Sequence, residues 1–322
     1  MHHADWLSRL LEMIPVRGVL DLRCFLAAPW RIEYEQSPRG EIPYHAVASG
    51  SALLEAPAGT RPRKLVAGDI VLLTDGAPHV LHDGSGARPS PLRERRTLSV
   101  TISENDGTGE RLDMLCGRFV LPPVHERMLR NYFPQQIFVR ATENSAATAQ
   151  PGTRAEVAQL VMLMRCESAA EDLGGLAMLN ALSTALFALA LRLASEASEA
   201  PAGLLALACN PRLSHALMAM FNDPARPWTL PELARLSNMS RATFIRHFQG
   251  RLGRSANDLL TDIRMTVASN ALKAPDISTA AVARLAGYQS EAAFQRAFKQ
   301  RLGITPAQWR RQMQAPEEGA RG

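Results

Sequence analysis

The last third of the chain repeats itself, and the repeat limits what this region can fold into. Ala234-Arg235-Leu236 recurs 49 residues later as Ala283-Arg284-Leu285. Ser240, Phe244, Phe248 and Arg251-Leu252-Gly253 recur 50 residues later as Ser290, Phe294, Phe298 and Arg301-Leu302-Gly303. The extra residue falls where Ser237-Asn238-Met239 faces Ala286-Gly287-Tyr288-Gln289. A length change confined to a turn means two copies of one supersecondary unit.

Each copy reads as helix, tight turn, helix, over 229–252 and 279–302. In the first, Thr229 followed by Glu232 predicts a capping box, and Leu230, Leu233 and Leu236 form an apolar stripe. Ser240 caps the second helix, Phe244 and Phe248 lie four apart on its inner face, and Gly253 ends it. In the second copy Thr279 is the expected cap, Gly287 allows the turn, Ser290 caps, Phe294 and Phe298 pack, and Gly303 ends the helix. A helix over 255–273 is expected to hold the two units at a fixed separation. With the phenylalanines inward, the first outer face shows Arg241, Ala242, Ile245, Arg246 and Gln249. The second shows Gln289, Glu291, Ala292, Gln295, Arg296 and Lys299. Arginine pairs bidentately with guanine, glutamine with adenine, and small apolar groups meet a thymine methyl. Residues 212–311 hold 15 Lys and Arg against 6 Asp and Glu, a net of +9 in a chain of net +5. A basic third on a mildly acidic body points to double-stranded DNA as partner.

From about 19 to 138 the texture changes. Short β-prone runs such as Arg31-Ile-Glu-Tyr34, Ile70-Val-Leu-Leu73, Thr97–Ile102 and Arg118–Leu121 alternate with turn signals, which suggests a barrel or sandwich. Gly84–Arg96 reads as a loop. Residues 141–153 have a linker's composition, and helices are expected over 154–171 and 175–196. The most apolar stretch, Ala185 to Leu191, ends at Arg192 and is far shorter than a membrane span. No signal peptide is expected, so the chain reads as cytoplasmic and not membrane-bound. Four widely spaced cysteines, Cys24, Cys116, Cys166 and Cys209, imply neither a zinc site nor a disulfide framework.

The C-terminal repeat, above all the stretch from Ala286-Gly-Tyr-Gln-Ser-Glu to Thr-Pro-Ala-Gln-Trp-Arg-Arg311, resembles the AraC/XylS family of transcription regulators. In that family the base-reading positions fall on Ala242, Ile245 and Arg246 and on Glu291, Ala292 and Arg296 here. Gly68–His79 resembles the second motif of cupin barrels, and Tyr44–Gly50 part of the first. The whole is similar to AraC-type regulators with a cupin sensor domain. Within that group, Gly18, Cys24, Pro29-Trp30 and Cys116-Gly117 resemble the branch that responds to reactive chlorine species; aldehyde-responsive relatives share much of the same barrel.

The expected architecture is therefore α+β and multidomain: a cupin-like β-barrel sensor over 1–140, a helical connector over 141–205 that is a candidate dimer interface, and an all-α double helix-turn-helix domain over 212–311. A cupin metal site needs about three histidines and a carboxylate. Only His45 and His79 fit, so no metal or cofactor is expected, and both are read as residues lining the sensor. Cys24 and Cys116 read either as buried apolar fillers or, as the resemblance implies, as redox-active thiols, Cys24 the one that induction requires and Cys116 its resolving partner. In the second reading the adjacent Arg23 and Arg118 would lower their pKa. The reading is a homodimeric activator that works with RNA polymerase under control of an oxidant or small-molecule signal, not an enzyme. The rival is a cupin metalloenzyme with an accessory DNA-binding tail.

Overall fold

The computed structural model describes residues 5–55, 61–140, 151–197 and 202–314. It divides into two compact units. One comprises residues 15–205; the other joins the chain's start to the helices from Ala206 onward.

The first element, α1 (Trp6–Met13), is capped by Asp5, whose carboxylate accepts from the backbone N–H of Leu7 and Ser8 at 3.0 and 2.9 Å. Its buried face is Leu7 and Leu10, continued by Ile14. The sequence places this helix in the sensor. It packs instead with the C-terminal helices: Arg9 Nε donates to Asn222 Oδ1 at 3.2 Å, and Asn270 Nδ2 to the Met13 carbonyl at 2.6 Å.

The unit of residues 15–205 holds eleven described strands: β1 (Arg17–Ala27), β2 (Arg31–Tyr34), β3 (Glu41–Ser49), β4 (Ser51–Glu55), β5 (Arg63–Val66), β6 (Ile70–Leu73), β7 (His79–His82), β8 (Leu92–Arg96), β9 (Thr101–Asn105), β10 (Arg111–Val120) and β11 (Gln136–Val139). Helix α2 (Pro123–Tyr132) precedes β11. They form two sheets, not one closed barrel: β11, β6, β3, β10, β1, β9, β8 and β2, β7, β4, β5. The chain turns from the large sheet into the small one at Gly50, whose φ is +81°. A Cβ there would lie 2.1 Å from the Arg111 carbonyl oxygen, so the corner requires glycine. The core between the sheets is built from both, including Cys24, Leu26, Val47, Leu54, Val71, Leu81, Met114 and Cys116.

Strand alternation decides which residues reach that core. On β1, Cys24 points in and Arg23 out, where Arg23 forms a bidentate pair with Asp113 at 3.0 and 2.8 Å. Asp113 is fully buried and is also held by Arg165 at 2.6 Å. Arg165 belongs to α3 (Pro151–Ala169), which packs beside α4 (Gly175–Glu196). Helix α4 is long and apolar enough to cross a membrane, more than the short run Ala185–Leu191 suggested. It packs on β1 and buries Leu179, Leu186, Phe187, Ala190 and Leu191. Residues 141–150 of the expected linker lie outside the described residues, and Pro151–Thr153 already belong to α3. The loop expected over Gly84–Arg96 ends in a strand, β8, which pairs with β9 at the edge of the large sheet.

After α5 (Leu204–Cys209) come α6 (Leu213–Asn222), α7 (Leu230–Leu236), α8 (Arg241–Leu252), α9 (Ala256–Ala271), α10 (Thr279–Leu285), α11 (Glu291–Leu302) and α12 (Pro306–Gln314). The pairs α7–α8 and α10–α11 are the two repeats. Both sides of the Thr229–Glu232 capping box form. Ser240 and Ser290 cap α8 and α11, and Gly253 and Gly303 close them at φ +72° and +80°. Asn238 (φ +50°) and Gly287 (φ +76°) take the same left-handed place in the two turns. The cap of α10 is Ser278, not Thr279: Ser278 is extended and accepts from the Ala281 N–H, while Thr279 is already helical. Helix α9 brackets both repeats. Its Arg264 donates to the Pro224 and Arg226 carbonyls ahead of α7, and its Asp258 holds Arg301 of α11 at 2.6 Å.

Candidate functional site

Two regions carry chemistry. The first is the outer face of the recognition helices. Phe244, Phe248, Phe294 and Phe298 are buried, so the residues between them are turned out. Arg241, Ala242, Arg246 and Gln249 are exposed on α8; Glu291, Ala292, Gln295, Arg296 and Lys299 on α11, with Gln289 just before it. Ile245 departs from this set. It is half-buried and lines an apolar pocket with Leu230, Phe248 and Asn257. Gln295 Nε2 donates to Glu291 Oε1 at 2.9 Å, which fixes how that pair faces outward.

The second region is a buried cluster inside the unit of residues 15–205. β10 pairs with β3 so that Cys116 lies directly opposite His45, and β2 pairs with β7 so that Tyr34 lies opposite His79. The hydrogen bonds run in one chain. A carbonyl can only accept, so His79 Nδ1 donates to the Ala77 oxygen at 2.9 Å. Burial first, then repulsion from His45, depresses the His79 pKa to about 4. Neutral His79 therefore offers Nε2 as an acceptor, and His45 Nε2–H fills it at 2.8 Å. The other nitrogen of His45, Nδ1, faces Cys116 Sγ at 3.1 Å. That contact holds one exchangeable proton, either on the thiol or on the imidazole.

Further donors surround Cys116. Tyr34 Oη lies at 3.7 Å and Cys24 Sγ at 4.0 Å. Burial alone would raise the Cys116 pKa, but the hydrogen bond from Cys24, the charge and hydrogen bond of His45 and the Tyr34 hydroxyl outweigh it and hold it well below the usual thiol range. Cys24 shifts the other way, raised by its hydrogen bond to Cys116 and then by burial. The two thiols are thus unlike, with Cys116 shifted toward the thiolate and Cys24 away from it.

All four expected sensor residues, Cys24, Cys116, His45 and His79, meet in this cluster. The expected activators do not. Arg23 is bound to Asp113, and Arg118 to Asp21 and Glu41 at 2.7 and 3.4 Å. The group that acts on Cys116 is the His45 imidazole, 3.1 Å away, which sequence adjacency could not show. Tyr34 was missed as well; only the β2–β7 register puts it over His79, stacked at 4.6 Å. Cys166 on α3 and Cys209 on α5 are exposed.

His79 gives a pH signature. The unfolded chain takes up its proton near pH 6.5 and the folded chain near pH 4. The folded state is therefore unpenalised above pH 6.5, and the penalty grows as pH falls, reaching about 3 kcal/mol by pH 4. Unfolding by urea across pH 4–7 should show this slope, and His79→Phe should flatten it. An unchanged slope in that variant would place the titration elsewhere.

The sequence matches the cupin family over residues 5–196 and a helix-turn-helix domain family over 233–312. It is 29% identical over 308 residues to an uncharacterized HTH-type transcriptional regulator of Haemophilus influenzae, spanning 95% of this chain and 98% of that one. It is 29% identical over 313 residues to the HTH-type transcriptional regulator MtrA of Neisseria gonorrhoeae, 96% and 98% of the two chains. It is 26% identical over 308 residues to the RCS-specific HTH-type transcriptional activator RclR of Escherichia coli, 95% and 97% of the two chains. All three are named as transcriptional regulators and none as a metalloenzyme.

Proposed function

The chain belongs to the cupin family and is a DNA-binding transcription regulator with an AraC-type helix-turn-helix domain, and on that premise we propose that it is switched by oxidation of the Cys24–Cys116 pair. The carrying observation is the His45-paired Cys116, with Cys24 as its neighbour thiol. Its similarity to an RCS-specific activator favours hypochlorous acid as the oxidant.

The step balances as follows. The Cys116 thiolate attacks chlorine, the S–Cl bond forms and the O–Cl bond breaks, and the departing hydroxide takes the His45 proton to become water. Cys24 then attacks the Cys116 sulfur. The S–S bond forms, chloride leaves, and the Cys24 proton goes to His45. The thiol pair loses two electrons and hypochlorous acid gains them. This makes Cys116 the reacting thiol and Cys24 the resolving one. Trapping tests the assignment: in a Cys24→Ser protein treated with hypochlorous acid, water takes the place of Cys24, the S–O bond forms as chloride and a proton leave, and sulfenic acid accumulates on Cys116, reported by dimedone and peptide mass mapping. Cys116 left unlabelled in that variant contradicts it.

On DNA, Arg246 and Arg296 read bases from their two recognition helices, which occupy adjacent major grooves about one turn, roughly 10 bp, apart. Arg246→Ala is expected to cost about 1–3 kcal/mol at the specific site and much less on random DNA, and Arg296→Ala likewise. Equal losses on both DNAs, by fluorescence anisotropy, would reduce the residue to a phosphate contact.

The active form is a homodimer that recruits RNA polymerase. Its interface is the outer face of α3 and α4, where Met162, Leu163, Leu176 and Met178 are exposed apolar side chains. Exposed Cys166 lies in the same stripe. A two-fold axis passing beside Cys166 would bring its two copies together, and in that arrangement a short bismaleimide should crosslink the wild type and not Cys166→Ser. A sedimentation profile of monomers at micromolar concentration would count against the dimer.

A further inference from the structure

Cys24 and Cys116 are 0% and 3% exposed, so the proposed reaction needs a way in. Among the described residues of the cluster, Tyr34 and His79 also line an open cleft of about 490 Å³. Tyr34 has one face to the cleft, its ring stacked on His79 at 4.6 Å and tilted against His45 at 4.9 Å. Its hydroxyl reaches Cys116. The ring is half-buried on β2, an edge strand of the small sheet, so it can swing without breaking an interior strand pairing. Leu26, Val47, Leu81 and Met114 belong to the same buried core as the thiol pair.

The cleft wall also carries Glu33, Glu35 and Glu55. Facing them are the cation Arg31, which pairs with Glu33 at 3.0 Å and Glu55 at 3.7 Å, and the imidazole of His82, which lies 3.3 Å from Glu55 and whose Nδ1 accepts from the Gly84 N–H at 3.1 Å. One arginine against three carboxylates leaves the mouth negative. A cleft of one sign of charge changes the local concentration of charged reactants by an order of magnitude or more. Hypochlorous acid and its anion coexist near neutral pH, and such a mouth favours the uncharged acid.

We propose that this cleft is the port through which a small, uncharged electrophile reaches Cys116, with Tyr34 as its gate and Glu33, Glu35 and Glu55 as a filter against anions. The inference rests on the reading of Cys116 as the reactive thiol, but its test does not depend on signalling. In full-length Cys166→Ser/Cys209→Ser protein, the rate of Cys116 modification is measured with two methanethiosulfonates, the neutral methyl reagent and the anionic sulfonatoethyl reagent. Each rate is divided by that of a free thiol. The neutral reagent should be favoured by about tenfold. Glu33→Gln/Glu35→Gln/Glu55→Gln should raise the anionic rate by about that factor and leave the neutral rate unchanged. Measured against Tyr34→Phe, which removes the hydroxyl that lowers the Cys116 pKa but keeps the ring, Tyr34→Ala should speed the neutral reagent; Tyr34→Trp, which keeps a plug, should not exceed the Tyr34→Phe rate with either reagent, and covers the case in which the alanine variant does not fold. Equal normalised rates for the two reagents, or a neutral rate the same in Tyr34→Ala and Tyr34→Trp as in Tyr34→Phe, would overturn the port. Modification that follows this pattern in a protein whose DNA binding ignores oxidation keeps the port and removes the redox switch.

Discussion

Cys116→Ser is expected to abolish the response to hypochlorous acid, while binding to the operator by the reduced protein stays near wild type. The serine hydroxyl is nearly isosteric but is not a thiolate, so His45 has no nucleophile to serve. His45→Gln should keep the fold and the cysteines yet slow oxidation, because the amide cannot take the Cys116 proton. The thiolate fraction then falls toward that of an ordinary buried thiol at pH 7. The pH profile separates the two effects. Wild-type Cys116 should react with iodoacetamide well below the usual thiol range, the direction set by His45, Tyr34 and Cys24, and His45→Gln should move that profile to higher pH. A profile that does not move would assign the reactivity to something other than the imidazole.

Phe294→Ala and Phe244→Ala are expected to cost about 3–5 kcal/mol each in the DNA-binding unit. Both rings are fully buried. Phe294 packs on Phe298 at 5.5 Å and Tyr288 at 5.7 Å, and Phe244 on Phe248 at 5.2 Å. A unit with a typical stability of about 5–15 kcal/mol loses a large part of it. Specific DNA binding should fall with it, whereas Phe294→Leu, which refills most of the space, should retain much of both. Thermal unfolding followed by circular dichroism reads the difference. A small change for the alanine variants would mean the repeats are not packed on these phenylalanines.

The repeats were legible because their information is local. A serine cap, two phenylalanines four apart and a closing glycine each act within one helix. The cap of α10 escaped because Ser278 and Thr279 carry equivalent hydroxyls, and only the extended backbone of Ser278 settles which one caps. Strand β8 escaped because Leu92-Arg-Glu-Arg-Arg96 has the charge of a loop; an edge strand tolerates that charge, which also discourages pairing with other chains. The sensor site was half legible. Its four residues could be singled out, and alternation already turns Arg23 away from Cys24. What activates Cys116 could not be read, because His45 lies 71 positions away and meets it only through the β3–β10 register. Tyr34 meets His79 in the same way through β2–β7.

The central claim, that oxidation of one buried thiol pair resets a double helix-turn-helix on DNA, is tested most directly on a single sample. The reduced full-length protein is treated with one equivalent of hypochlorous acid, then divided between peptide mapping of its disulfides and footprinting on its operator. The account predicts a Cys24–Cys116 disulfide, with Cys166 and Cys209 still thiols, and a footprint over two adjacent major grooves whose occupancy differs from that of the reduced protein. A fully formed Cys24–Cys116 disulfide with an unaltered footprint, or an altered footprint with both thiols intact, would contradict it.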